Sequence, residues 1–358
     1  MSYERNNIKA MDGYLSGEQP EGNKIIKLNT NENPYPPAPE IQVAIHKFCS
    51  EDLRRYPPPT ADKFRDLAAA LHNVKRENII ATRGGDELLR LLITTYVEPG
   101  EPIGMTDPTY SLYPVLAQVQ NCPVVKIPLG KDWSLPTDFA KKINAARCKL
   151  TFLINPQAPS GKLIDVESIS AIASELNSVL LVDEAYIDFV SKDYSSVALI
   201  KEHSNLVFLR TLSKGFSLAG LRFGYGIATQ SLISPMLDKT RDSYNLDLLS
   251  QIIAETALEN RAYAMGNCDK IIDQRARLHR SLGECGLRAE ASETNFLLVT
   301  VPQSFSCSAE ELYMRLKALG ILIRYFSDPR LSDKVRITVG TAEENDSLMS
   351  AIRQISNP

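Results

Sequence analysis

The chain has 358 residues, with 44% hydrophobic and 23% charged side chains and a formal net charge of −3 at pH 7. Its length is sufficient for a large domain and a smaller one, and its composition is typical of a globular protein. The weak negative charge excludes the strong basic field that attracts nucleic acid or an anionic membrane, and no apolar run approaches the roughly 20 residues that span a bilayer.

The first 40 residues are polar and rich in proline, which predicts an irregular amino-terminal arm. The arm ends in Asn31-Glu-Asn-Pro-Tyr-Pro-Pro-Ala-Pro39, and a second proline cluster follows at residues 57–59 after a short helical stretch. The start of the chain lacks the apolar core of a signal peptide, so we expect a cytoplasmic protein.

Between residues 62 and 245, short apolar runs alternate with helical patterns. The predicted strands cover residues 79–82, 103–105, 124–127, 150–154, 179–182, 206–210 and 223–228. The predicted helices cover residues 62–71, 86–96, 110–120, 165–175 and 231–239. This alternation predicts an α/β large domain, residues 41–245, with a largely parallel sheet. Ligands of such sheets bind at the carboxyl ends of the strands.

A long helical pattern extends from residue 246 to about residue 282, which predicts one long helix or two helices broken near Asn260 or Gly266. Beyond it, strands are predicted near residues 295–301, 321–324 and 335–339, and helices at 308–319 and 343–354. We therefore expect residues 246–358 to form a smaller α+β domain that the long helix enters.

The six cysteines are scattered without a CxxC pair, which is typical of reduced thiols in a cytoplasmic protein. The four histidines show neither HxxxH nor HExxH spacing, so we expect no metal site. If the chain is an enzyme, we expect its base to be a residue other than histidine.

One lysine lies in the segment Thr211-Leu-Ser-Lys-Gly-Phe-Ser-Leu-Ala-Gly-Leu-Arg222. An amine forms a covalent bond with an aldehyde only when it is unprotonated and close to it, whereas hydroxyls and a guanidinium suit a phosphate. The segment therefore indicates either a phosphorylated aldehyde cofactor held by Lys214 as an imine, or a solvated lysine in a loop of small residues.

Two further strand ends carry unusual residues. The sequence Thr82-Arg-Gly-Gly-Asp86 indicates either an anion site at a helix start or a tight turn with Asp86 as the N-cap. In Thr106-Asp-Pro-Thr-Tyr110, the tyrosine either lies flat against a planar heteroaromatic ring or packs in the core.

Charged residues also follow or occupy apolar strands. In Leu180-Leu-Val-Asp183-Glu-Ala-Tyr186, the aspartate suits a protonated ring nitrogen and the tyrosine a ring oxygen, while an Asp-Glu pair that holds Mg²⁺ is the alternative. Arg324 and Arg336 lie in apolar β-patterns, where each binds either an external anion or an internal carboxylate.

Ten short motifs occur in the order NENPY, RYP, GGDEL, DPTY, NP-x-x-P-x-G, VDEAYIDF, RTLSK, LAGLR, TNFLL and RITVG. In these motifs the chain resembles the class I and II aminotransferases of fold type I, which depend on pyridoxal 5′-phosphate. The resemblance extends from Leu28 to Asn345. It implies a three-layer α/β/α large domain with a mostly parallel seven-stranded sheet that binds the cofactor, a smaller α+β domain and ping-pong transamination through a Schiff base.

Within the family, the resemblance is greatest to enzymes that transfer an amino group between histidinol phosphate or imidazole acetol phosphate and 2-oxoglutarate or glutamate, a step of histidine biosynthesis. An aromatic amino-acid aminotransferase and a threonine-phosphate decarboxylase share most of the motifs and are the alternative activities. A non-catalytic regulator that retains the fold is a further alternative.

The resemblance assigns three residues to catalysis. Lys214 would form an imine with the cofactor and carry a proton between the substrate α-carbon and cofactor carbon C4′. Asp183 would pair with the ring nitrogen, and Tyr186 would form a hydrogen bond with the phenolate oxygen of the ring.

Other residues are implied to hold the cofactor. Tyr110 would stack on its ring, and Tyr56 would reach the phosphate of the cofactor in the neighbouring subunit, which implies a homodimer with shared active sites. The residues implied to hold the phosphate are Gly85, Asp86, Thr211, Ser213 and Arg222.

A third set is implied to face the substrate. Arg336 would clamp the α-carboxylate, and Arg324 is the candidate for the phosphate end. Tyr14, Asn33 and Asn245 would also lie near the substrate, and Asn245 is a candidate to lie near the cofactor as well.

The chain departs from the family pattern in the turn Asn155-Pro-Gln-Ala158-Pro-Ser-Gly161. The family usually has an asparagine where Ala158 stands, and that side chain bonds the phenolate oxygen. One hydrogen bond is therefore missing unless Asn155 or a water replaces it, and we expect altered cofactor electronics rather than inactivity. In addition, Gly85 replaces a usual serine or alanine, and Tyr14 lacks the proline that often follows it.

Overall fold

The computed structural model describes residues 2–15, 17–19 and 25–356. Parts of the predicted arm, residues 1, 16 and 20–24, lie outside the described residues, as do the last two residues of the predicted small domain, 357–358.

The strands of the described chain are short and mostly apolar. In chain order they are β1 (Ile26–Lys27), β2 (Ile79–Thr82), β3 (Ile103–Asp107), β4 (Val124–Pro128), β5 (Leu150–Ile154), β6 (Val179–Asp183), β7 (Leu206–Thr211), β8 (Gly224–Ala228), β9 (Arg288–Ala289), β10 (Phe296–Thr300), β11 (Ile321–Leu322), β12 (Arg324–Tyr325) and β13 (Lys334–Thr338).

The α-helices lie before, between and after these strands. They are α1 (Asn6–Lys9), α2 (Pro39–Lys47), α3 (Asp62–His72), α4 (Gly84–Tyr96), α5 (Leu112–Val119), α6 (Phe139–Ala145), α7 (Val166–Glu175), α8 (Gln230–Pro235), α9 (Leu248–Glu259), α10 (Arg261–Glu284), α11 (Ala309–Ala318) and α12 (Ala342–Ser356). Short 3₁₀ helices cover Ser50–Arg54, Arg76–Asn78, Ile187–Phe189, Val197–Lys201 and Ala219–Leu221, and a π-helix covers Met236–Thr240.

Seven strands form one sheet in the order β2-β8-β7-β6-β5-β3-β4. β8 runs antiparallel to both of its neighbours, and the other neighbouring strands pair in parallel. The mostly parallel seven-stranded sheet that the resemblance implied is therefore confirmed. The carboxyl ends of β3, β5, β6 and β7 lie together at one edge, because these strands run in the same direction.

Strand β7 shows how this sheet is covered on both faces. Phe208 belongs to the same apolar cluster as Phe64 of α3, whereas Val207 and Leu209 belong to a second cluster with Leu92 of α4. Successive residues of a strand point to opposite faces, so the two clusters lie on opposite sides of the sheet. The implied three-layer α/β/α arrangement is therefore confirmed.

A second, antiparallel sheet has the order β12-β13-β10-β9, and α11 and α12 pack against it. The predicted arm is not irregular throughout, because β1 pairs in parallel with β11 and Leu28 is buried in the same core. The apolar residues Ile26 and Leu28 make this pairing favourable, since Leu28 loses its contact with water there.

The predicted long helical segment consists of two helices, α9 and α10, which meet at Asn260. Ile253 and Ala257 of α9 are buried in the core of the large unit, although the predicted boundary at residues 245 and 246 assigned α9 to the small domain. Helix α10 extends from that core at Ala264 to the small core at Leu282. We therefore propose that the boundary between the two units lies near Asn260.

Two other helices differ from the predictions. Helix α6 was not predicted, because its buried residues Phe139, Ala140 and Ile143 form too short a pattern to indicate a helix. The helix predicted at residues 231–239 changes to a π-helix after Pro235. In the described residues, no helix combines the length and the hydropathy needed to cross a membrane.

Candidate active site

A cavity of about 480 Å³ opens at the carboxyl ends of β3, β5, β6 and β7 and is closed on one side by residues of the smaller sheet. Most of the predicted site residues line this cavity. They are Tyr14, Gly85, Asp86, Tyr110, Asp183, Tyr186, Thr211, Ser213, Lys214, Arg222, Arg324 and Arg336. The structure therefore brings together residues that are more than 300 positions apart in the chain.

Lys214 follows β7, and its Nζ atom donates a hydrogen bond to the carbonyl oxygen of Thr30 at 3.2 Å. The same atom lies 5.8 Å from the centroid of the Tyr186 ring. Burial lowers the pKa of the Lys214 amine from 10.5 to about 8, and the positive charge of Arg336 acts in the same direction. This amine therefore loses its proton more readily than that of an ordinary lysine, and attack on an aldehyde requires the unprotonated form.

Asp183 is the last residue of β6 and is buried. The Tyr113 hydroxyl donates to Asp183 Oδ2 at 2.7 Å, and the backbone N–H of Ala185 donates to Oδ1 at 3.0 Å. Burial raises the pKa of the Asp183 carboxyl from 3.8 to about 6, although both hydrogen bonds lower it. This carboxyl is suited to a cationic partner inside the cavity, because such a partner would compensate for the burial of its charge.

The alternative of an Asp-Glu pair that binds Mg²⁺ finds no support in this geometry. Glu184 turns away from Asp183 and forms a salt bridge with Arg210 Nη2 at 2.7 Å, and the hydroxyl of Ser196 also donates to it. Among the described residues, no group of three His, Cys, Asp or Glu side chains could hold a metal ion.

The start of α4 and the segment after β7 form a polar cradle. Gly84 has a φ angle of +72°, and a Cβ atom at this position would lie 2.9 Å from Arg222 Nη2. Glycine thus allows the helix start to approach Arg222 closely, and the first amides of a helix lack intrahelical acceptors. Arg222 Nη2 also lies 3.2 Å from Asp86 Oδ2.

The other wall of this cradle consists of hydroxyl groups. Thr211 Oγ1 donates to Ser213 Oγ at 2.9 Å, and the backbone N–H of Ser213 donates to Thr211 Oγ1 at 3.1 Å. Free helix amides, two hydroxyls and a guanidinium are the groups that bind a phosphate in proteins. The cradle therefore fits the phosphate of pyridoxal phosphate.

Tyrosine rings occupy another wall of the cavity. Tyr14 meets Tyr110 edge to face, with ring centroids 6.0 Å apart and an interplanar angle of 69°. Tyr110 meets Tyr113 in the same way at 5.5 Å. These contacts hold Tyr110 at the cavity wall, where it can contact a planar ring.

Arg324 and Arg336 occupy directly opposite positions on the antiparallel strands β12 and β13. Arg336 Nη2 donates to the carbonyl oxygen of Asn29 at 3.0 Å, while its Nε atom is buried and has no hydrogen-bond partner. Neither guanidinium forms a salt bridge with any described carboxylate. The described residues therefore do not support the alternative of an internal ion pair. The guanidinium groups of Arg324 and Arg336 are both available to an anion.

Two predicted substrate residues do not line the cavity. Asn33 Nδ2 donates to the backbone carbonyl of Lys214 at 3.1 Å, so it supports the lysine segment from outside. Asn245 Nδ2 donates to the carbonyl of Ala81 at 3.2 Å and to Glu87 Oε2 at 2.9 Å. Both side-chain amides therefore have partners within the protein, and their contact with substrate stays a prediction.

Asn155 also points away from the cavity. Its Nδ2 atom donates to Tyr194 Oη at 2.6 Å, and its Oδ1 atom accepts from the backbone N–H of Ile164 at 2.7 Å. The side chain of Asn155 therefore does not replace the asparagine that the resemblance implies at position 158. Ala158 itself lines the cavity.

Tyr56 lies outside the cavity of its own chain. Its side chain is 81% exposed, and its ring stacks on that of Tyr244 with centroids 4.4 Å apart. An aromatic pair with this exposure is suited to contact another molecule.

Sequence reasoning missed two residues that contact the predicted catalytic groups. Tyr113 donates to the Asp183 carboxylate, and Asn31 Nδ2 donates to Tyr186 Oη at 2.9 Å. Both lie inside motifs or within three residues of one, so their location was available from the sequence. Their partners were not, because each contact joins segments far apart in the chain.

The chain is similar to known proteins over nearly its full length. The aminotransferase class I and II family model matches residues 23–352. Histidinol-phosphate aminotransferase 1 of Nostoc sp. is 41% identical over 355 residues, which cover 99% of this chain and 98% of that protein. The histidinol-phosphate aminotransferase of Clostridium botulinum is 36% identical over 358 residues, which cover 99% of each.

A solved structure is also similar. The crystal structure of histidinol-phosphate aminotransferase from Sinorhizobium meliloti, in complex with pyridoxal-5′-phosphate, has a TM-score of 0.90 with this chain. The two are 25% identical, and the match covers 99% of this chain and 98% of that one.

Proposed function

Because this chain belongs to the class I and II aminotransferase family, we propose that it is a pyridoxal-phosphate-dependent enzyme of histidine biosynthesis. It transfers an amino group between histidinol phosphate or imidazole acetol phosphate and 2-oxoglutarate or glutamate. The observation that carries this proposal is the presence of the Lys214 amine, the Asp183 carboxyl and the polar cradle in one cavity.

The residues of the cavity suit the cofactor group by group. Bound pyridoxal phosphate would carry the amino group and withdraw electrons from the substrate carbon. Lys214 would hold the aldehyde carbon and then move the proton at the substrate α-carbon, for which a pKa of about 8 is suitable. Asp183 would keep the ring nitrogen protonated, Tyr186 would donate to the ring oxygen and Tyr110 would lie against the ring.

The phosphate of the cofactor would occupy the cradle between α4 and the segment after β7. The residues proposed to hold it are Gly85, Asp86, Thr211, Ser213 and Arg222. Asp86 already contacts Arg222, so we expect it to orient the guanidinium while its backbone amide faces the phosphate.

The substrate would bind on the side of the smaller sheet. Histidinol phosphate and glutamate are both anions, and Arg336 and Arg324 present two guanidinium groups that form no salt bridge among the described residues. Arg336 is the proposed clamp for a carboxylate, and Arg324 is the proposed partner of the substrate phosphate. Tyr14, at the edge of the cavity, would close it over the bound molecule.

We also infer a homodimer in which Tyr56 serves the cavity of a second copy. Tyr56 does not line its own cavity, and nearby Leu53 is 61% exposed and Val43 49% exposed. Burial of these apolar side chains against a second copy would stabilise the pair. The cytoplasm is the proposed location, in keeping with the six free cysteines.

A half-reaction screen tests the activity. The cofactor-loaded protein is mixed separately with histidinol phosphate, phenylalanine or threonine phosphate, and the visible band of the cofactor is followed. We expect conversion with histidinol phosphate, which Lys214→Ala abolishes and Lys141→Ala, an exposed lysine of α6, leaves intact. Conversion by phenylalanine alone would instead indicate an aromatic aminotransferase, and release of carbon dioxide from threonine phosphate would indicate the decarboxylase.

A second measurement tests the substrate role of Arg324. Arg324→Ala should reduce kcat/KM for histidinol phosphate by roughly 10- to 100-fold, which corresponds to one charge-assisted hydrogen-bonded pair. The loss for phenylalanine, which has no phosphate, should be much smaller. Equal losses for both substrates would remove Arg324 from phosphate recognition.

A further inference from the structure

The hydrogen bond between Asn31 and Tyr186 has a defined direction. Asn31 Nδ2 lies 2.9 Å from Tyr186 Oη, and both side chains line the cavity. An amide nitrogen can only donate, so the tyrosine oxygen is the acceptor in this bond. The hydroxyl proton of Tyr186 is therefore not used by Asn31.

The orientation of the Asn31 amide is set by a second residue. Thr338 Oγ1 accepts a hydrogen bond from the backbone N–H of Asn31 at 3.0 Å and donates its own proton to Asn31 Oδ1 at 3.1 Å. Because the amide oxygen is held by Thr338, the amide nitrogen must face Tyr186. The backbone of Asn31 is held as well, since its carbonyl oxygen accepts from Asn295 Nδ2 at 3.0 Å.

Tyr186 itself has little freedom to move. It is half-buried at the end of the segment that follows β6, and its ring packs edge-on against Phe296 with centroids 5.1 Å apart. Rotation of the O–H bond is thus the main freedom that remains to its hydroxyl. No described residue accepts the Tyr186 proton, whereas the cavity lies directly beside it.

We propose that Asn31 is a positioning residue that directs the Tyr186 hydroxyl proton into the cavity, toward the ring oxygen of the cofactor. This inference rests on the proposed function. It gives Asn31 a particular importance here, because Ala158, which also lines the cavity, has no side-chain donor for that oxygen. With one donor left, a wrongly rotated hydroxyl would present a lone pair to an anionic oxygen, which is repulsive.

A spectroscopic pH titration of the cofactor-loaded protein tests this role. A hydrogen bond to the ring oxygen favours the form that carries more negative charge there, which is the form present at high pH. Loss of that bond should therefore move the pH of the visible transition upward. For Asn31→Gly we expect an upward shift of roughly half to one pH unit, which corresponds to a weakened hydrogen bond.

Glycine is the suitable replacement because Asn31 has a φ angle of +57°, which glycine adopts without strain. The backbone bonds to Thr338 and Asn295 can then persist. Asn73→Gly is the matched control, since Asn73 has a φ angle of +52° at the exposed end of α3. It should leave the transition unchanged.

The Tyr186→Phe background separates positioning from a merely structural effect. Tyr186→Phe alone should shift the transition upward at least as far as Asn31→Gly, and Asn31→Gly should add nothing to it. Thr338→Val, which frees the amide but retains both Asn31 and Tyr186, should give a smaller upward shift. It also serves as the second variant if Asn31→Gly folds poorly.

The outcomes distinguish this inference from the function on which it rests. Failure of the unsubstituted protein to bind pyridoxal phosphate or to convert histidinol phosphate would contradict the proposed function. A normal unsubstituted protein with no shift in Asn31→Gly and Thr338→Val, or a shift that persists in full without the Tyr186 hydroxyl, would overturn the role of Asn31 alone.

Discussion

Tyr113 donates a hydrogen bond from its hydroxyl to Asp183 Oδ2 across 2.7 Å, and both side chains are buried. Tyr113 stands three residues after Tyr110, which lines the cavity. The turn before α5 and the helix itself therefore both contribute to the site, because Tyr110 in the turn lines the cavity and Tyr113 in the helix holds the Asp183 carboxyl. The hydrogen bond lowers the pKa of Asp183 against the larger effect of burial.

Tyr113→Phe should weaken cofactor binding in a pH-dependent way. Without the hydroxyl, the pKa of Asp183 in the cofactor-free protein should rise above its value of about 6. A larger fraction of the protein molecules then carries a protonated Asp183, which must lose its proton before it can pair with a ring cation. A rise of about one pH unit predicts roughly fivefold weaker binding at pH 6 and little change at pH 8.

Titration of the cofactor-free protein with pyridoxal phosphate at both pH values measures this effect. Tyr96→Phe is a matched control. Tyr96 Oη donates to the carbonyl oxygen of Leu232 at a distance of 2.6 Å, and Tyr96 does not line the cavity. A loss of the same size at pH 6 and pH 8 would argue against a role through the protonation of Asp183.

Asp183→Asn should stabilise the cofactor-free protein. The pKa of Asp183 is raised from 3.8 to about 6 in the folded state, so the folded protein binds more protons than the unfolded chain between these values. Stability therefore falls as pH rises from about 4 to about 6 and is then level. Removal of the charge should raise the free energy of unfolding by up to about 3 kcal/mol at pH 7.5 and by roughly half of that at pH 5.

Urea unfolding of the cofactor-free proteins at pH 5 and pH 7.5 measures this difference. With pyridoxal phosphate bound, the order should reverse at pH 7.5, since the ion pair with the ring is lost in Asp183→Asn. A variant that is less stable than the parent without cofactor at pH 7.5 would contradict the proposed cost of the buried charge.

Ala158→Asn should supply a second donor at the ring oxygen. Ala158 lines the cavity, and its neighbour Gln157 is held by Pro108 and Ser160, so the turn has independent support. We expect the pH of the visible transition of the cofactor to fall by roughly half to one unit, because the added hydrogen bond favours the more anionic ring oxygen.

The same spectroscopic titration reads out this prediction. Ala158→Leu adds a side chain of similar size without a donor and should not lower the transition. If the asparagine variant shifted upward or not at all, position 158 would not face the ring oxygen in this protein.

Arg330 joins the smaller sheet to the large unit. It lies in the segment between β12 and β13, where Nη1 donates to the carbonyl of Asp107 at 3.1 Å and Nη2 donates to the carbonyl of Gly130. Its guanidinium also lies 4.7 Å from the centroid of the Trp133 ring. The same segment carries Leu331 to the cavity wall.

Arg330→Ala should lower the free energy of unfolding by about 1–2 kcal/mol, through the loss of two hydrogen bonds and a cation–π contact. It should also raise KM more than it lowers kcat, because the cavity wall is less well held while Lys214 is untouched. Thermal unfolding and steady-state kinetics check both effects. Arg330→Lys should be intermediate, and an unchanged KM would show that this anchor does not shape the cavity.

Much of the site could be predicted from the sequence because its residues stand at strand ends. Asp183 ends β6 and Lys214 follows β7 by three residues. Parallel strands bring such positions to one edge, so apolar runs followed by polar residues were sufficient to group them. The arm and helix α9 were less predictable, since packing against distant residues decided to which unit each belongs.

By itself, the sequence determined the order of strands and helices and the chemical groups at the strand ends, because these follow from local patterns of apolar residues. Only the tertiary structure decided which way each side chain turns. It directed Asn155 and Asn245 toward partners outside the cavity, set Asn31 against Tyr186 and placed Tyr113 behind Asp183. The physical reason is that a buried polar group must pair with whatever partner the folded chain brings within reach, and that partner is defined by spatial proximity rather than by sequence distance.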